Sequence, residues 1–339
     1  MAPEGCEHGR ARCGCEDRSC RHRHAPLPGV ARVTHDTAPQ DPVAVHRGLL
    51  AIARERKADF NAILVQYAIE RLIDRLSKSA EARRFVLKGA MLFRAWTGDL
   101  HRPTTDVDFL GHGDSTPTAL AEAFRRIVAV EGNDGLRFDL DRIEAREIRE
   151  EQEYGGVRIT AIAYLAHVPI TVRIDVGFGD AITPQAARTT FPTLLGHAAA
   201  EILAYPPESA VAEKIEAMCK LGLINSRMKD YADVIAISRC FQFEGVVLAR
   251  ALRATFERRG TLLPTGVPVG ISGEFGADAQ KQRQWRAFLG RMRANDMPAS
   301  LTDAITIVGQ FALPALHAAA GARPAPGSWL PASGWNPTA

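Results

Sequence analysis

Residues 85–109 read FVLKGAMLFRAWTGDLHRPTTDVDF. At its end Asp106-Val107-Asp108 runs into Phe109 and Leu110, and carboxylates set among apolar residues predict a short buried strand over Thr104–Leu110. Alternate strand residues share a face, so the two carboxylates emerge together, roughly 6.5 Å apart along the backbone. Like charges that close repel unless a cation sits between them. Hard divalent ions such as Mg²⁺ take oxygen ligands, commonly one or two carboxylates plus substrate phosphates. An Asp-x-Asp in an exposed loop is common, and the pair alone says little. Lys88-Gly89 upstream changes its meaning. The apolar run before it predicts a strand at Arg84–Leu87 and a short helix from Lys88 to Trp96, which puts a glycine and a cation at a helix start, where anions are favoured.

Outward from this stretch the chain divides into blocks. Residues 1–42 are polar and rich in Pro, His and Arg, and carry too few apolar side chains to fold. Cys6, Cys13, Cys15 and Cys20 alternate there with His8, His22 and His24, but one-residue gaps fit tetrahedral zinc loops poorly. Asp59 is placed to cap a helix in which Phe60, Ile63, Leu64, Tyr67, Leu72 and Leu76 recur at helical spacing. Thr116–Val130 is a second amphipathic helix. Arg158–Ala163 and Ile170–Val176 alternate as strands do. From Pro207 the pattern turns helical again, over Glu208–Leu221, Met228–Cys240 and Phe243–Glu257. The expected organisation is a mixed α/β catalytic domain over residues 43–206, a helical domain over 207–315 and an extended tail over 316–339, in which Trp329 and Trp335 are candidates to dock.

Three further groups belong with the Asp pair. Asp175 closes a β-branched run just before Gly177-Phe178-Gly179-Asp180, suited to a site at a sheet edge; in isolation it reads better as a strand-end aspartate accepting turn hydrogen bonds. Lys214 sits on a helix among small and apolar residues, so it either reaches a cleft or snorkels to solvent beside Glu213 and Glu216. Arg227-Met228-Lys229-Asp230 and Asp233 crowd a helix start, which suits phosphate binding and equally suits a plain capped helix end.

Composition narrows the field. The chain has 339 residues, 46% hydrophobic and 24% charged, as ordinary globular proteins do. A formal charge of +3 permits a nucleic-acid partner without arguing for one. No apolar run reaches the length of a transmembrane helix and no signal peptide is evident, so a cytoplasmic protein with no membrane partner is expected. No Gly-x4-Gly-Lys-Ser/Thr loop, Gly-x-Gly-x-x-Gly turn, Gly-x-Ser-x-Gly elbow or zinc-protease helix is present, which removes the commonest ATPase, dehydrogenase, hydrolase and metalloprotease readings.

Taken together and in order, Phe85–Phe93 (FVLKGAMLF), the Arg-Pro-Thr-Thr-Asp-Val-Asp of residues 102–108, the Ile-Asp-Val-Gly-Phe-Gly-Asp of 174–180, Ala-Glu-Lys at 212–214 and Arg-Met-Lys-Asp-x-x-Asp at 227–233 resemble the AbiEii/AbiGii toxin family of nucleotidyltransferases, part of the polymerase-β-like superfamily. Lys88-Gly89 stands where nucleotidyltransferases in general carry Gly-Ser, and Ala90 replaces the second glycine usual in the family. The resemblance implies a minimal nucleotidyltransferase fold of the α/β (α+β) class, with a mixed sheet and a helical C-terminal domain. It further implies a toxin of a toxin–antitoxin, abortive-infection system. Such an enzyme transfers a nucleoside monophosphate from an NTP to an RNA acceptor, tRNA in some relatives, with a winged-helix antitoxin encoded nearby. On that basis Asp106, Asp108 and Asp175 are expected to hold Mg²⁺ or Mn²⁺. Lys88, Gly89, Thr104, Thr105, Lys214 and Lys229 are expected to meet the triphosphate, and Asp230 to orient Lys214 or the nucleotide. The competing readings are nucleotidylation of a small molecule such as an aminoglycoside, which calls for an acidic pocket, and a non-catalytic nucleotide-binding partner protein.

Overall fold

The computed structural model describes residues 40–148, 155–292 and 296–336. In chain order it begins with α1 (Pro42–Glu55), α2 (Phe60–Lys78), β1 (Phe85–Lys88), α3 (Met91–Thr97), β2 (Asp106–Gly111) and α4 (Pro117–Val128). The strands β3 (Leu136–Phe138), β4 (Glu144–Ile148), β5 (Gly156–Leu165), β6 (Val168–Phe178), β7 (Ala187–Phe191) and β8 (Ala200–Ala204) follow. The chain then becomes helical in α5 (Pro207–Leu221), α6 (Met228–Cys240), α7 (Gly245–Arg258), α8 (Gly273–Ala277), α9 (Ala279–Leu289) and α10 (Leu301–Ala319), with β9 (Phe243–Glu244), β10 (Ser328–Leu330) and β11 (Gly334–Trp335) as a small satellite sheet.

Local chemistry accounts for the element starts. Asp41 accepts from the N–H groups of Val43 and Ala44, with Pro42 at the first helical position. Asp59 accepts from Ala62 N–H, and Thr116 from Ala119 N–H. Each satisfies a donor that the first helical turn leaves without an internal partner.

The main sheet is mixed and runs β3-β5-β6-β2-β1-β8-β7, with β4 also paired to β5. β2 lies between β1, antiparallel, and β6, parallel. Burial alternates strictly along β5 and through the body of β6: Ile159, Ala161 and Ala163 with Val172, Ile174 and Val176 face the core. The same pleat puts Val107 and Phe109 inward, and therefore Asp106, Asp108, Asp175 and Arg158 on the opposite face. α2 and α4 pack on the apolar side, so the polar side is left to turn toward α5 and α6. Apolar burial is continuous from Val45 on α1 to Trp329 on β10, and the β8–α5 junction at residue 207 interrupts the strands but not the core.

Several boundaries differ from the sequence expectation. Lys88 ends β1, paired opposite Asp108, and does not start a helix. Gly89 at φ +73° breaks the chain there, and α3 begins only at Met91. The expected strand from Thr104 begins at Asp106. Residues 316–319, expected in an extended tail, complete α10, whose alanines are good helix formers. Beyond it the chain folds into the β10–β11 hairpin: Trp329 Nε1 donates to Ser238 O at 2.7 Å and Trp335 Nε1 to Phe311 O at 3.0 Å. Of the N-terminal segment expected to be unstructured, residues 1–39, with the whole Cys/His cluster, lie outside the described residues. No helix among those described is long and apolar enough to cross a membrane.

Candidate active site

Strand register assembles the centre of the site. Lys88 on β1, Asp108 on β2 and Asp175 on β6 are direct cross-strand neighbours, so three residues far apart in sequence stand abreast. Asp106 is two residues along β2 from Asp108, on the same face. Thr104 Oγ1 donates to Asp106 Oδ1 at 2.6 Å and so fixes that carboxylate. The Asp108 carboxyl is pushed up to about 6, by burial first and by the charge of Asp106 second, against the opposing pull of Lys88 and Lys229. Its charge is therefore under-compensated, as expected of a carboxylate that shares its face with another.

Gly89 forms one wall. At φ +73°, a Cβ built on it would lie 2.0 Å from Asp108 Oδ2, so only glycine lets the main chain approach the carboxylate so closely. Asp175 has a partner that the sequence did not suggest. Arg158, opposite it on β5, closes a fork on both its oxygens, Nε–Oδ1 2.7 Å and Nη2–Oδ2 2.6 Å. Among the described residues no three His, Cys, Asp or Glu side chains converge as a ready metal cage. The donor set that fits a hard divalent ion is the Asp106–Asp108 pair, whose mutual repulsion a cation relieves, while Arg158 occupies both oxygens of Asp175.

Two cation clusters border this centre. Lys88 Nζ donates to Asp180 Oδ2 at 2.7 Å and to Glu213 Oε1 at 3.1 Å, and Arg259 reaches Asp180 at 3.0 Å and Glu216 at 2.9 Å. Burial by itself disfavours the charged Lys88, but Glu213 and Asp180 outweigh it and hold its ammonium well above the ordinary lysine range. The lysine is thus charged, yet already engaged by carboxylates.

The second cluster is built on Asp233, whose side chain is wholly buried. It accepts from Lys214 Nζ at 2.7 Å and from Arg102 Nε at 2.8 Å, with His101 Nε2 also 2.7 Å away. Lys214 further donates to Asp230 Oδ1 at 3.1 Å, and Arg227 Nε to Asp230 Oδ2 at 2.7 Å. Burial opposes ionisation of Asp233, but Lys214 and Arg102 hold it well below the usual carboxylate range.

The cleft lined by Lys88, Gly89, Asp108, Lys214 and Lys229 gathers half of the sequence-predicted residues, with Arg227 beside them. Thr105, the residue before β2, is exposed. Sequence reasoning did not reach His101, Arg102, Arg158, Asp180 or Arg259 as site members. Arg102 carried a signal, since it opens the Arg-Pro-Thr-Thr run before the aspartates. The others take their roles from long-range pairing alone.

The sequence matches the family described as "Nucleotidyl transferase AbiEii toxin, Type IV TA system" over residues 71–308. No curated protein matches it. Among solved structures, JHP933 from Helicobacter pylori is 13% identical, covering 77% of this chain and 93% of that one at a TM-score of 0.41. A "putative nucleotidyltransferase from H. pylori" is 14% identical, covering 77% and 96% at a TM-score of 0.41.

Proposed function

The chain belongs to the AbiEii toxin family of nucleotidyltransferases of type IV toxin–antitoxin systems, and from that premise we propose that it transfers a nucleoside monophosphate from an NTP to a hydroxyl of an RNA acceptor, tRNA being the first candidate. Membership implies an antitoxin partner; a winged-helix protein encoded nearby and action in the cytoplasm complete the proposal. The observation that carries it is the row Lys88–Asp108–Asp175 across three adjacent strands, closed on one side by the main chain of Gly89.

In this reading the acceptor oxygen attacks the α-phosphorus, the bond from that phosphorus to the bridging oxygen breaks, and pyrophosphate leaves. Asp106 and Asp108 would hold a divalent ion, Mg²⁺ or Mn²⁺, which when bound supplies Lewis-acid stabilisation of the phosphate oxygens. Asp175, whose two oxygens Arg158 holds, lines the acceptor side of the row, and the acceptor proton passes to solvent. The Gly89 backbone makes room for the triphosphate, and Thr104 holds Asp106 in place. Lys214 meets the charge that grows on the leaving pyrophosphate, with Asp230 and Asp233 setting its direction. Lys88, Lys229 and Thr105 offer further donors to phosphate oxygens. An aminoglycoside substrate receives no support, because the cleft that would hold a polycation is lined by more cations, Lys88, Arg102, Lys214, Arg227, Lys229 and Arg259, than carboxylates, Asp108 and Glu213.

The test is incubation of purified protein with total cellular RNA and each labelled NTP in Mg²⁺. Label entering a discrete RNA band, and lost in Asp106→Ala, is the expected result; no incorporation with any NTP overturns the reading.

A further inference from the structure

The carboxylate centre occupies only part of the open space between sheet and helices. Next to it lies a second cavity of about 610 Å³, which shares Arg102, Arg227 and Lys229 with the cleft of Lys88 and Asp108. The cavity is thus reached from the place where phosphates would sit. Its far wall is α9, which presents Gln284 and Phe288, with Arg291 on the turn that follows. No carboxylate lines it among the described residues.

Two details of that wall point to a ligand. The Phe288 ring is half-buried and braced by the Trp285 ring, centroids 5.6 Å apart at 32°, so one aromatic surface is held in a fixed orientation. Gln284 Oε1 is buried and has no hydrogen-bond partner. A buried acceptor left without a donor is costly, and this one lines the cavity. The charges of Arg102 and Arg227 are answered by Asp233 and Asp230, whereas Lys229 and Arg291 enter no ion pair given by the structure among the described residues.

We infer that this cavity seats the nucleobase of the incoming nucleoside triphosphate, stacked on Phe288, with Gln284 accepting from an amino group on the base edge. The inference rests on the nucleotidyl-transfer reading and adds a base-selecting site to it. A nucleoside triphosphate has a flat apolar face, a hydrogen-bonding edge and a polyanionic tail. The cavity supplies an aromatic wall for the first, an unpaired acceptor for the second and a cationic mouth leading to Asp108 for the third. CTP, ATP and GTP each carry an amino group on the base edge, and UTP alone lacks one. UTP sets a carbonyl against the glutamine oxygen, and a site built around a polar partner discriminates strongly against the analogue that lacks it.

Equilibrium binding to the full chain, by calorimetry, tests this with CTP, ATP, UTP, inorganic triphosphate and a single-stranded RNA octamer as separate titrants. Phe288→Leu keeps apolar volume but removes the π-face. It should weaken every NTP by roughly five- to 150-fold, the span of one lost base–aromatic stack, and leave inorganic triphosphate unchanged. Gln284→Leu should erase the preference for CTP and ATP over UTP. Unaltered NTP affinities and an unaltered base preference in both variants, with wild-type melting temperatures, overturn the inference. So does weakening confined to the RNA octamer, which gives the cavity to the acceptor strand. A wild-type protein that binds no NTP removes the inference and the transfer reading together, whereas one that binds NTP through Phe288 yet labels no RNA removes only the transfer reading.

Discussion

Two clusters of charge lie on opposite faces of the sheet, and the two are handled differently. Along α2, Glu70, Arg71, Asp74 and Arg75 are all almost fully buried. Arg75 holds Asp134 by two bonds of 2.6 and 3.1 Å, and Glu70 receives Arg94 at 3.2 Å and the N–H of Leu194 at 2.7 Å. Guanidiniums and carboxylates alternate there, and none of them lines the cleft. On the other face, Asp106 and Asp108 stand side by side, and the nearest lysine, Lys88, gives its hydrogen bonds to Asp180 and Glu213 instead. Burial of charge therefore does not mark a site. An imbalance of charge facing an open cavity does, because a substrate or cation can complete it.

Removing charge from each face in turn separates the two clusters. Asp108→Asn should lower transfer by about 10³-fold, since electrostatic stabilisation worth several kcal/mol goes with it. Its melting temperature should equal or exceed that of wild type, because a like-charge repulsion is relieved. A melting temperature well below wild type would mean that the cleft carboxylates are structural after all. Arg75→Ala should do the reverse. It strands Asp134 in the core, and breaking a buried pair typically costs about 3–5 kcal/mol, read as a lower urea midpoint, while whatever protein remains folded keeps its turnover.

Lys214→Ala lies between these extremes. Loss of one electrostatic stabiliser typically lowers a rate roughly 10²–10³-fold, and Arg102 and His101 remain to answer Asp233, so stability should fall far less than in Arg75→Ala. Near-normal turnover at saturating NTP would relegate Lys214 to a structural ion pair like those of α2.

The smallest effect concerns acid. His197, whose Nε2 lies 3.0 Å from Tyr67 Oη on the α2 side, is held down at about 4, by burial first and by the charge of Arg71 second. The folded state resists protonation that the unfolded chain accepts from about 6.5 downward. The stability it contributes is therefore present above pH 6.5 and lost as pH falls toward 4. The ring is part-exposed, and solvent screening reduces the effect to about 1 kcal/mol. His197→Gln should flatten the dependence of the urea midpoint on pH across that window; an unchanged slope would place the acid sensitivity elsewhere.

What could be read in advance was what local pattern encodes. The Asp-x-Asp strand, the Asp59 cap and the helices beginning near Pro207 and Met228 all follow from spacing over a few residues. The α2 helix follows from its apolar positions, but nothing in the sequence marks its Glu70–Arg75 run as buried, since only tertiary packing from β3 and the Pro192–Leu194 segment encloses it. Lys88 was placed on a helix because the positive φ of Gly89 is invisible in a sequence where glycine tolerates either sign. Arg158 and Arg259 could not be found at all. Their meaning lies in Asp175, opposite Arg158 across the β5–β6 pair, and in Asp180 and Glu216, and nothing near them in sequence names those partners.

The pairing of Lys88 with Asp180 and Glu213, and of both acids with Arg259, has a consequence for synthesis. β1 leaves the ribosome early, but the carboxylates that hold its lysine arrive much later, and Arg259 last of all. A chain that ends between β2 and β6 carries the Asp106–Asp108 pair without Asp180, Glu213 or Arg259. The site is thus a property of the chain taken as a whole: its parts come into register only when residues from Lys88 to Arg259 are all present.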